Sequence, residues 1–161
     1  MNSNASVLVD LLKKKGLTLS CAESCTGGLL AKTITDIAGV SSVFWGGVVS
    51  YDNSVKQNAL GVCADTLASY GAVSAPVAEQ MAGGVCRLCS TNVGLSTTGI
   101  AGPGGGTFEK PVGTVYIGVC INGEVCSKRL CLSPDLSREE IRERSVAMVI
   151  EYAIEKISQR Y

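Results

Sequence analysis

The stretch Leu17–Gly28 constrains the fold of this chain more strongly than any other part of the sequence. Its first half alternates apolar residues with small or polar ones, which predicts a short β-strand over residues 17–22. Its second half turns through Ser24 and Cys25 into two glycines, and the apolar spacing beyond them predicts a helix. A strand that passes through such a turn into a helix brings backbone N–H groups close to side-chain nucleophiles. The same pattern is also typical of an ordinary helix cap, so the remaining sequence must decide between the two.

Helical and strand patterns alternate along the rest of the chain. Four further strands are predicted, at residues 44–51, 92–98, 111–121 and 124–132. The last two flank Asn122-Gly123, a strong signal for a tight turn between antiparallel strands, so the sheet should be mixed. A capping box at Ser137–Glu140 predicts a closing helix. We therefore predict one α/β domain over residues 1–161, a three-layer α/β/α sandwich with a mixed sheet of about five strands.

The charge and composition exclude several functional classes. The 14 basic residues are balanced by 14 acidic ones that are spread evenly, so no basic surface is available for nucleic acid. No apolar run approaches the roughly 18 residues that a membrane span requires. The N-terminal residues lack the features of a signal peptide, which predicts a cytoplasmic protein with no membrane partner. An apolar content of 46% in a small domain predicts a homo-oligomer.

The histidine and cysteine content limits the available chemistry. The chain has no histidine, which excludes histidine-based catalytic triads and histidine-ligated metal sites. Cys86 and Cys89 have the spacing of a metal or redox motif, but no second pair follows to complete a zinc site. We expect most of the eight cysteines to be reduced core residues, and we expect neither a metal nor a cofactor. Cys25 is the exception, because a helix start can stabilise a thiolate.

A hydroxyl nucleophile without histidine needs another base, and lysine is the usual substitute. Ser24 follows the first predicted strand and Lys56 follows the second by one turn, so adjacent parallel strands would bring the two side chains together. Tyr51, at the end of the second strand, could relay or orient the proton. A lysine base must be largely neutral, which requires burial or a cationic neighbour to lower its pKa. An oxyanion could be stabilised by the amides of Cys25, Thr26, Gly27 and Gly28.

Two further features are compatible with a ligand site. Thr98 ends a predicted strand and leads into residues 99–106, a glycine-rich stretch that lets the backbone approach a ligand closely. Arg142 lies on the inward face of the last predicted helix, where an unpaired charge is costly. We expect Arg142 to meet either a carboxylate of the protein or an anionic ligand.

Three sequence blocks resemble the signature blocks of the CinA C-terminal domain family. They are residues 22–28 (Ala-Glu-Ser-Cys-Thr-Gly-Gly), residues 71–74 (Gly-Ala-Val-Ser), and residues 99–115, which begin Gly-Ile-Ala-Gly-Pro and end Lys-Pro-Val-Gly-Thr-Val. The blocks occur in the family's order, and the similarity runs from about residue 5 to residue 157. The resemblance implies a metal-free hydrolysis of the carboxamide of nicotinamide mononucleotide, which yields nicotinate mononucleotide and ammonia.

The resemblance also implies roles for individual residues. By position, Ser24 would be the nucleophile and Lys56 its base, with Tyr51 assisting. Arg142 corresponds to an arginine in the family's last helix, which implies that it binds a phosphate. The nucleotide site would be lined by Thr98 and the glycine-rich loop, including Gly99, Ala101 and Gly102.

One departure from the family and two other functions bear on this interpretation. Ser54 stands where the family commonly has a glutamate, which changes the expected charge environment of Lys56. A non-catalytic nucleotide-binding or regulatory domain would use the same site without releasing ammonia, and a cysteine hydrolase would use Cys25. A short-chain oxidoreductase is not supported, because Tyr51 and Lys56 are five residues apart rather than four and no Gly-x-Gly-x-x-Gly follows the first strand.

Overall fold

Five β-strands and six α-helices make up residues 3–161, the part of the chain that the computed structural model describes. The strands are β1 (Leu19–Glu23), β2 (Phe44–Val49), β3 (Val93–Gly99), β4 (Thr114–Ile121) and β5 (Glu124–Cys131). The helices are α1 (Ser3–Lys15), α2 (Leu29–Thr35), α3 (Asn53–Leu60), α4 (Ala64–Tyr70), α5 (Ala75–Cys89) and α6 (Arg138–Arg160). A short 3₁₀ turn, Val40–Ser42, precedes β2.

The sheet has the strand order β2-β1-β3-β4-β5. The central strand β1 is parallel to β2 and β3, whereas β4 runs antiparallel to both β3 and β5. The hairpin turn is Asn122-Gly123, with φ values of 48° and 88° that suit a two-residue connection. The prediction of a mixed five-stranded sheet is confirmed. The carboxyl ends of β1, β2 and β3 therefore meet at one edge of the sheet.

Helices cover both faces of the sheet. On one face α1, α2 and α6 bury apolar side chains that include Leu8, Leu30 and Val149. On the other face α3, α4 and α5 pack around Leu60 and Met81. This arrangement confirms the predicted three-layer α/β/α sandwich. No helix within residues 3–161 is both long enough and apolar enough to cross a membrane.

Helix α5 packs directly against the backbone of the sheet at two glycines that face it. A Cβ atom on Gly118 would lie 2.5 Å from the carbonyl oxygen of Ala78, and one on Gly94 would overlap the carbonyl of Ala82. Ala78, Ala82 and Cys86 follow one another at four-residue spacing and so form one stripe of the helix. The glycines therefore determine how closely this stripe, including Cys86, approaches β3 and β4.

The pairing of β1 with β2 also depends on a glycine. A Cβ atom on Gly47 would lie 2.8 Å from Cys21 Sγ, so the absence of a side chain here lets the two strands approach closely. Strand β2 ends at Val49 rather than at residue 51. The reason is that the carbonyl groups of Ser50 and Tyr51 turn away from the sheet and accept hydrogen bonds from the side chain of Lys56 in α3.

Two helices begin at side-chain caps, and the cap of α6 is the predicted one. The carboxylate of Asp52 accepts a hydrogen bond from the Ser54 N–H at 2.9 Å and begins α3. Ser137 and Glu140 form a reciprocal capping box at the start of α6. These caps set where Lys56 and the arginines of α6 point, because residues on a helix follow its 3.6-residue period.

Candidate active site

Ser24 lies directly after β1, at the edge where the three parallel strands end. Its N–H donates to the carbonyl of Thr97 on β3 at 2.9 Å, so the residue is held against the neighbouring strand. The chain then leaves the sheet through Gly27 and Gly28, whose φ values are 56° and 103°. Residues with a Cβ atom rarely adopt such values. The two glycines thus permit the turn on which Ser24 remains half-buried.

A buried carboxylate stabilises this turn. Glu23 is 1% exposed and accepts hydrogen bonds from Thr26 Oγ1 at 2.6 Å, from the Leu30 N–H at 2.8 Å and from the Ala31 N–H at 3.1 Å. The two amides belong to the first turn of α2, where the helix dipole favours a negative charge. Sequence reasoning gave Glu23 no role, because its partners lie too far along the chain to match the three-residue spacing of a capping box.

Lys56 extends from α3 to the same point. Its Nζ atom lies 3.0 Å from Ser24 Oγ, 2.7 Å from the carbonyl oxygen of Ser50 and 3.1 Å from that of Tyr51. The residue is only 1% exposed. Parallel pairing of β1 and β2 therefore brings Ser24 and Lys56 into direct contact, as the sequence predicts.

The surroundings of Lys56 disfavour its charged form. Burial lowers the pKa of its amine from the usual 10.5, although the negative charge of Asp52 acts in the opposite direction. None of the carboxylates of residues 3–161 forms an ion pair with this amine. Lys56 consequently has a larger neutral fraction than an exposed lysine, as a general base requires.

The side chain of Tyr51 lies apart from this amine. Its hydroxyl accepts a hydrogen bond from Arg138 Nη2 at 2.9 Å, and the residue is 59% exposed. Arg138 also donates through Nη1 to the carbonyl of Gly102 at 2.7 Å, so it links the glycine-rich loop to the end of β2. Sequence reasoning missed Arg138. The available signal was a cation in the first turn of a helix, where the dipole disfavours positive charge.

Arg142 approaches the turn after Ser24 from α6. Its Nη2 donates to the carbonyl of Thr26 at 2.8 Å, and a Cβ atom on Gly27 would lie 3.4 Å from the same nitrogen. The residue is half-buried, and no carboxylate of residues 3–161 pairs with it. Of the two partners expected for Arg142, a protein carboxylate is thus not found in the described part of the chain. Its remaining N–H groups can bind an anion.

The predicted nucleotide-site residues lie near the edge of the sheet that carries Ser24, and they differ in what they contact there. Thr98 is buried, and its hydroxyl donates to the Ala72 carbonyl at 2.9 Å, which holds the block at 71–74 against β3. Ala101 is buried in the core, and a Cβ atom on Gly99 would collide with β4. Thr98, Gly99 and Ala101 therefore position the loop. Gly102 lies further along the loop and accepts the bond from Arg138.

Cys25 and the amides of the turn differ in what they can contribute. Burial raises the pKa of the Cys25 thiol to about 12, so the sulfur is protonated at neutral pH and is a poor nucleophile. The Gly27 N–H donates to the Ser24 carbonyl at 3.1 Å. Within residues 3–161 the N–H groups of Thr26 and Gly28 meet no acceptor, and that of Cys25 meets only its own sulfur. Three of the four predicted amides therefore have no acceptor outside their own residue in the described part of the chain.

The described residues offer no convergent set of metal ligands. No group of three or more cysteine, aspartate or glutamate side chains within residues 3–161 is placed to hold a metal ion. All eight cysteines are unpaired thiols, four of them buried.

Comparison with known proteins identifies a family and several relatives with similar sequences. The family model described as the CinA C-terminal domain matches residues 1–157. A CinA-like protein from Kosmotoga olearia is 49% identical over 146 residues, which cover 91% of this chain and 35% of that protein. The chain thus spans about a third of the length of this curated relative.

Two solved structures resemble the whole fold. One is the competence/damage inducible protein from Agrobacterium tumefaciens, with a TM-score of 0.91 and 42% identity, covering 95% of this chain and 93% of that one. The other is the competence damage-inducible protein A from Klebsiella pneumoniae, with a TM-score of 0.93 and 30% identity, covering 98% and 96% of the two chains.

Proposed function

Because the chain belongs to the CinA C-terminal domain family, we propose that it is a serine–lysine amidase. The proposed reaction converts the carboxamide of nicotinamide mononucleotide and water into nicotinate mononucleotide and ammonia. One observation carries the proposal: a buried lysine amine lies 3.0 Å from a serine hydroxyl at the end of the central strand.

The contacts of Lys56 match the hydrogen-bonding groups of a neutral amine, which has two N–H donors and one lone pair. The carbonyl oxygens of Ser50 and Tyr51 can only accept, so they take the two N–H groups. The lone pair is left to accept the proton of the Ser24 hydroxyl. After that transfer the ammonium donates all three bonds without moving. This geometry supports Lys56 as the general base.

Acylation begins when Ser24 Oγ attacks the carboxamide carbon and its proton passes to Lys56. The charge that develops on the carboxamide oxygen is stabilised by the turn amides that have no other acceptor. The intermediate then collapses with cleavage of the carbon–nitrogen bond. Lys56 returns the proton to the leaving nitrogen, which departs as ammonia and leaves an ester on Ser24.

Deacylation uses the same base for water. Lys56 accepts a proton from water as the water oxygen attacks the ester carbon, and the proton then passes to Ser24 Oγ as the ester bond breaks. The net reaction consumes one water and restores the neutral serine and the neutral lysine. Each proton transfer involves Lys56, so a single buried amine suffices for both halves of the reaction.

The proposed phosphate partner is Arg142. Its guanidinium is half-buried beside the turn that carries Ser24, and it has no carboxylate partner in the described part of the chain. A guanidinium presents several N–H donors in a fork that suits phosphate oxygens. This supports a substrate that carries its reacting amide and its anionic group on one molecule, as a nucleotide does.

The test is ammonia release from nicotinamide mononucleotide by the purified protein in the presence of EDTA. We expect Ser24→Ala and Lys56→Ala each to reduce kcat/KM by about 10³-fold or more, the range for removal of a nucleophile or base. Lys32→Ala is the matched control, because that lysine is exposed on α2 and pairs only with Asp36. Its activity should equal that of the wild type.

Two results would overturn the proposal. Activity that survives in Ser24→Ala but is lost in Cys25→Ala would identify a cysteine hydrolase. Wild-type protein that binds the nucleotide by calorimetry without releasing ammonia would be a non-catalytic nucleotide-binding domain.

A further inference from the structure

We propose that Cys86 and Cys120 form a redox-active dithiol, which a small hydroperoxide oxidises to a disulfide in a cavity away from Ser24. The two cysteines lie on α5 and β4, at the end of the sheet opposite the Ser24 turn. The amidase reaction proposed above uses neither of them. This site is therefore independent of that function.

The strand register and a glycine bring the two sulfurs together. Cys120 on β4 stands directly opposite Gly94 on β3. Side chains at opposed positions of antiparallel strands have Cβ atoms about 4.5–5.5 Å apart. Gly94 has no side chain, and Cys86 Sγ lies 2.6 Å from the position that its Cβ would occupy. The sulfur of Cys86 thus replaces the missing neighbour of Cys120, and the two residues form a buried cluster with Ala82.

Both cysteines line a cavity of about 580 Å³ between α5 and the β4–β5 turn. Cys86 is 8% exposed and Cys120 is 1% exposed, so large reagents are excluded. Arg87, Asn122 and Gly123 line the same cavity and place polar groups in its wall. A molecule the size of hydrogen peroxide can enter such a space and meet hydrogen-bonding groups there.

The surroundings determine which sulfur attacks. A hydrogen bond from the Cys86 thiol, another from the Gly123 N–H, and the charges of Arg87 and Arg160 lower the pKa of Cys120, although burial acts in the opposite direction. The same contact raises the pKa of Cys86. Because the thiolate is the nucleophile, Cys120 is the attacking residue and Cys86 the resolving one.

The reaction balances with hydrogen peroxide as the oxidant. The Cys120 thiolate attacks one peroxide oxygen, a sulfur–oxygen bond forms, the oxygen–oxygen bond breaks, and the departing hydroxide takes up a proton as water. Cys86 sulfur then attacks the sulfenic acid of Cys120, the disulfide forms, and a second water leaves with the proton of Cys86. Two thiols are oxidised and the peroxide is reduced to two waters.

The reactions of the other cysteines must be distinguished from that of this pair. Cys89 follows Cys86 by three residues, but it faces β2, where a Cβ atom on Gly46 would lie 3.5 Å from its sulfur. Cys63 and Cys131 are exposed and would react on their own. The test therefore uses the Cys63→Ser/Cys131→Ser chain as its background.

The experiment treats this background with hydrogen peroxide, blocks the remaining thiols with iodoacetamide, and maps disulfides by tandem mass spectrometry. We expect a linkage between Cys86 and Cys120 that dithiothreitol reverses. Cys120→Ser should abolish the linkage and leave Cys86 reduced. Cys89→Ser is the matched control on the same helix and should form the linkage at the rate of the background protein.

Two outcomes would overturn the proposal. One is a linkage from Cys86 to Cys89. The other is that the Cys86 and Cys120 thiols can both still be alkylated after a treatment that oxidises a free cysteine completely. The mapping in the background protein needs no change at Cys86 or Cys120, so the result does not depend on how well those variants fold.

Discussion

The two ends of the sheet each hold a buried cysteine, and the two thiols differ in acidity. At the end that carries Ser24, burial raises the pKa of Cys25 to about 12, even though its own backbone N–H and the charges of Arg142 and Lys56 act in the opposite direction. At the opposite end, a hydrogen bond from the Cys86 thiol, a backbone N–H and two arginine charges lower the pKa of Cys120 despite its burial. Burial is outweighed where a second thiol also donates to the sulfur, but not where one backbone N–H and two nearby cations act without it.

The same contrast explains the state of Lys56. The surroundings that keep the Cys25 thiol protonated also disfavour an ammonium, because burial opposes charge of either sign. The Ser24 end is therefore suited to reactants that start neutral, a hydroxyl and an amine. The Cys120 end is suited to one group that starts as an anion.

The largest expected effect is on thiol reactivity. In the Cys63→Ser/Cys131→Ser background at neutral pH, iodoacetamide should modify Cys120 faster than Cys25 although Cys120 is the less exposed of the two, because only the thiolate reacts. Timed alkylation with peptide mass spectrometry measures both rates in one sample. Equal rates would show that the two thiols do not differ in acidity. Denaturation in urea provides the control, since it should bring the two rates together.

A smaller effect is expected at the arginine beside the turn. Arg142→Ala should raise KM for nicotinamide mononucleotide by about tenfold or more and leave the riboside, which lacks the phosphate, unaffected. Steady-state ammonia release with both substrates measures this. Arg144→Ala, an exposed arginine of the same helix, is the matched control. If both substrates suffer equally in Arg142→Ala, the residue acts only by holding the Thr26 carbonyl.

The smallest expected effect is a shift in pH dependence. kcat/KM should rise with pH as Lys56 loses its proton, with a midpoint below the usual lysine value of 10.5. The charged or titratable groups that act on this amine are Asp52 and Cys25. Ser54→Glu adds a negative charge, which favours the ammonium, so the midpoint should move to higher pH and the rate at neutral pH should fall. Ser54→Gln, of similar size but neutral, should leave the midpoint unchanged.

Features that follow from strand pairing could be predicted from the sequence. The turn signal Asn122-Gly123 specified the antiparallel half of the sheet. Two strands ending in polar residues were enough to bring Ser24 and Lys56 together, because parallel neighbours end at the same edge. The strand ends were less certain, since β2 stops where the carbonyls of Ser50 and Tyr51 turn to the lysine.

Features that depend on long side chains or on close packing could not be predicted in this way. Arg138 reaches two loops that are distant in sequence, and only its unfavourable place in a helix dipole marked it. The contact of Cys86 with Cys120 depends on the missing side chain of Gly94, whereas the spacing along the helix drew attention to Cys89. A glycine that admits another residue's sulfur leaves no periodic pattern in a sequence.

Helix α6 links the two ends of the molecule and so limits how its length can change. Its Arg142 reaches the Thr26 carbonyl at one end, and its Arg160 donates to Glu124 at 2.8 Å beside the β4–β5 turn at the other. Inserting or deleting one residue between them would rotate one contact by about 100° relative to the other. Natural length variation among related sequences should therefore collect in the exposed loop at residues 103–109. The last helix should keep a constant residue count.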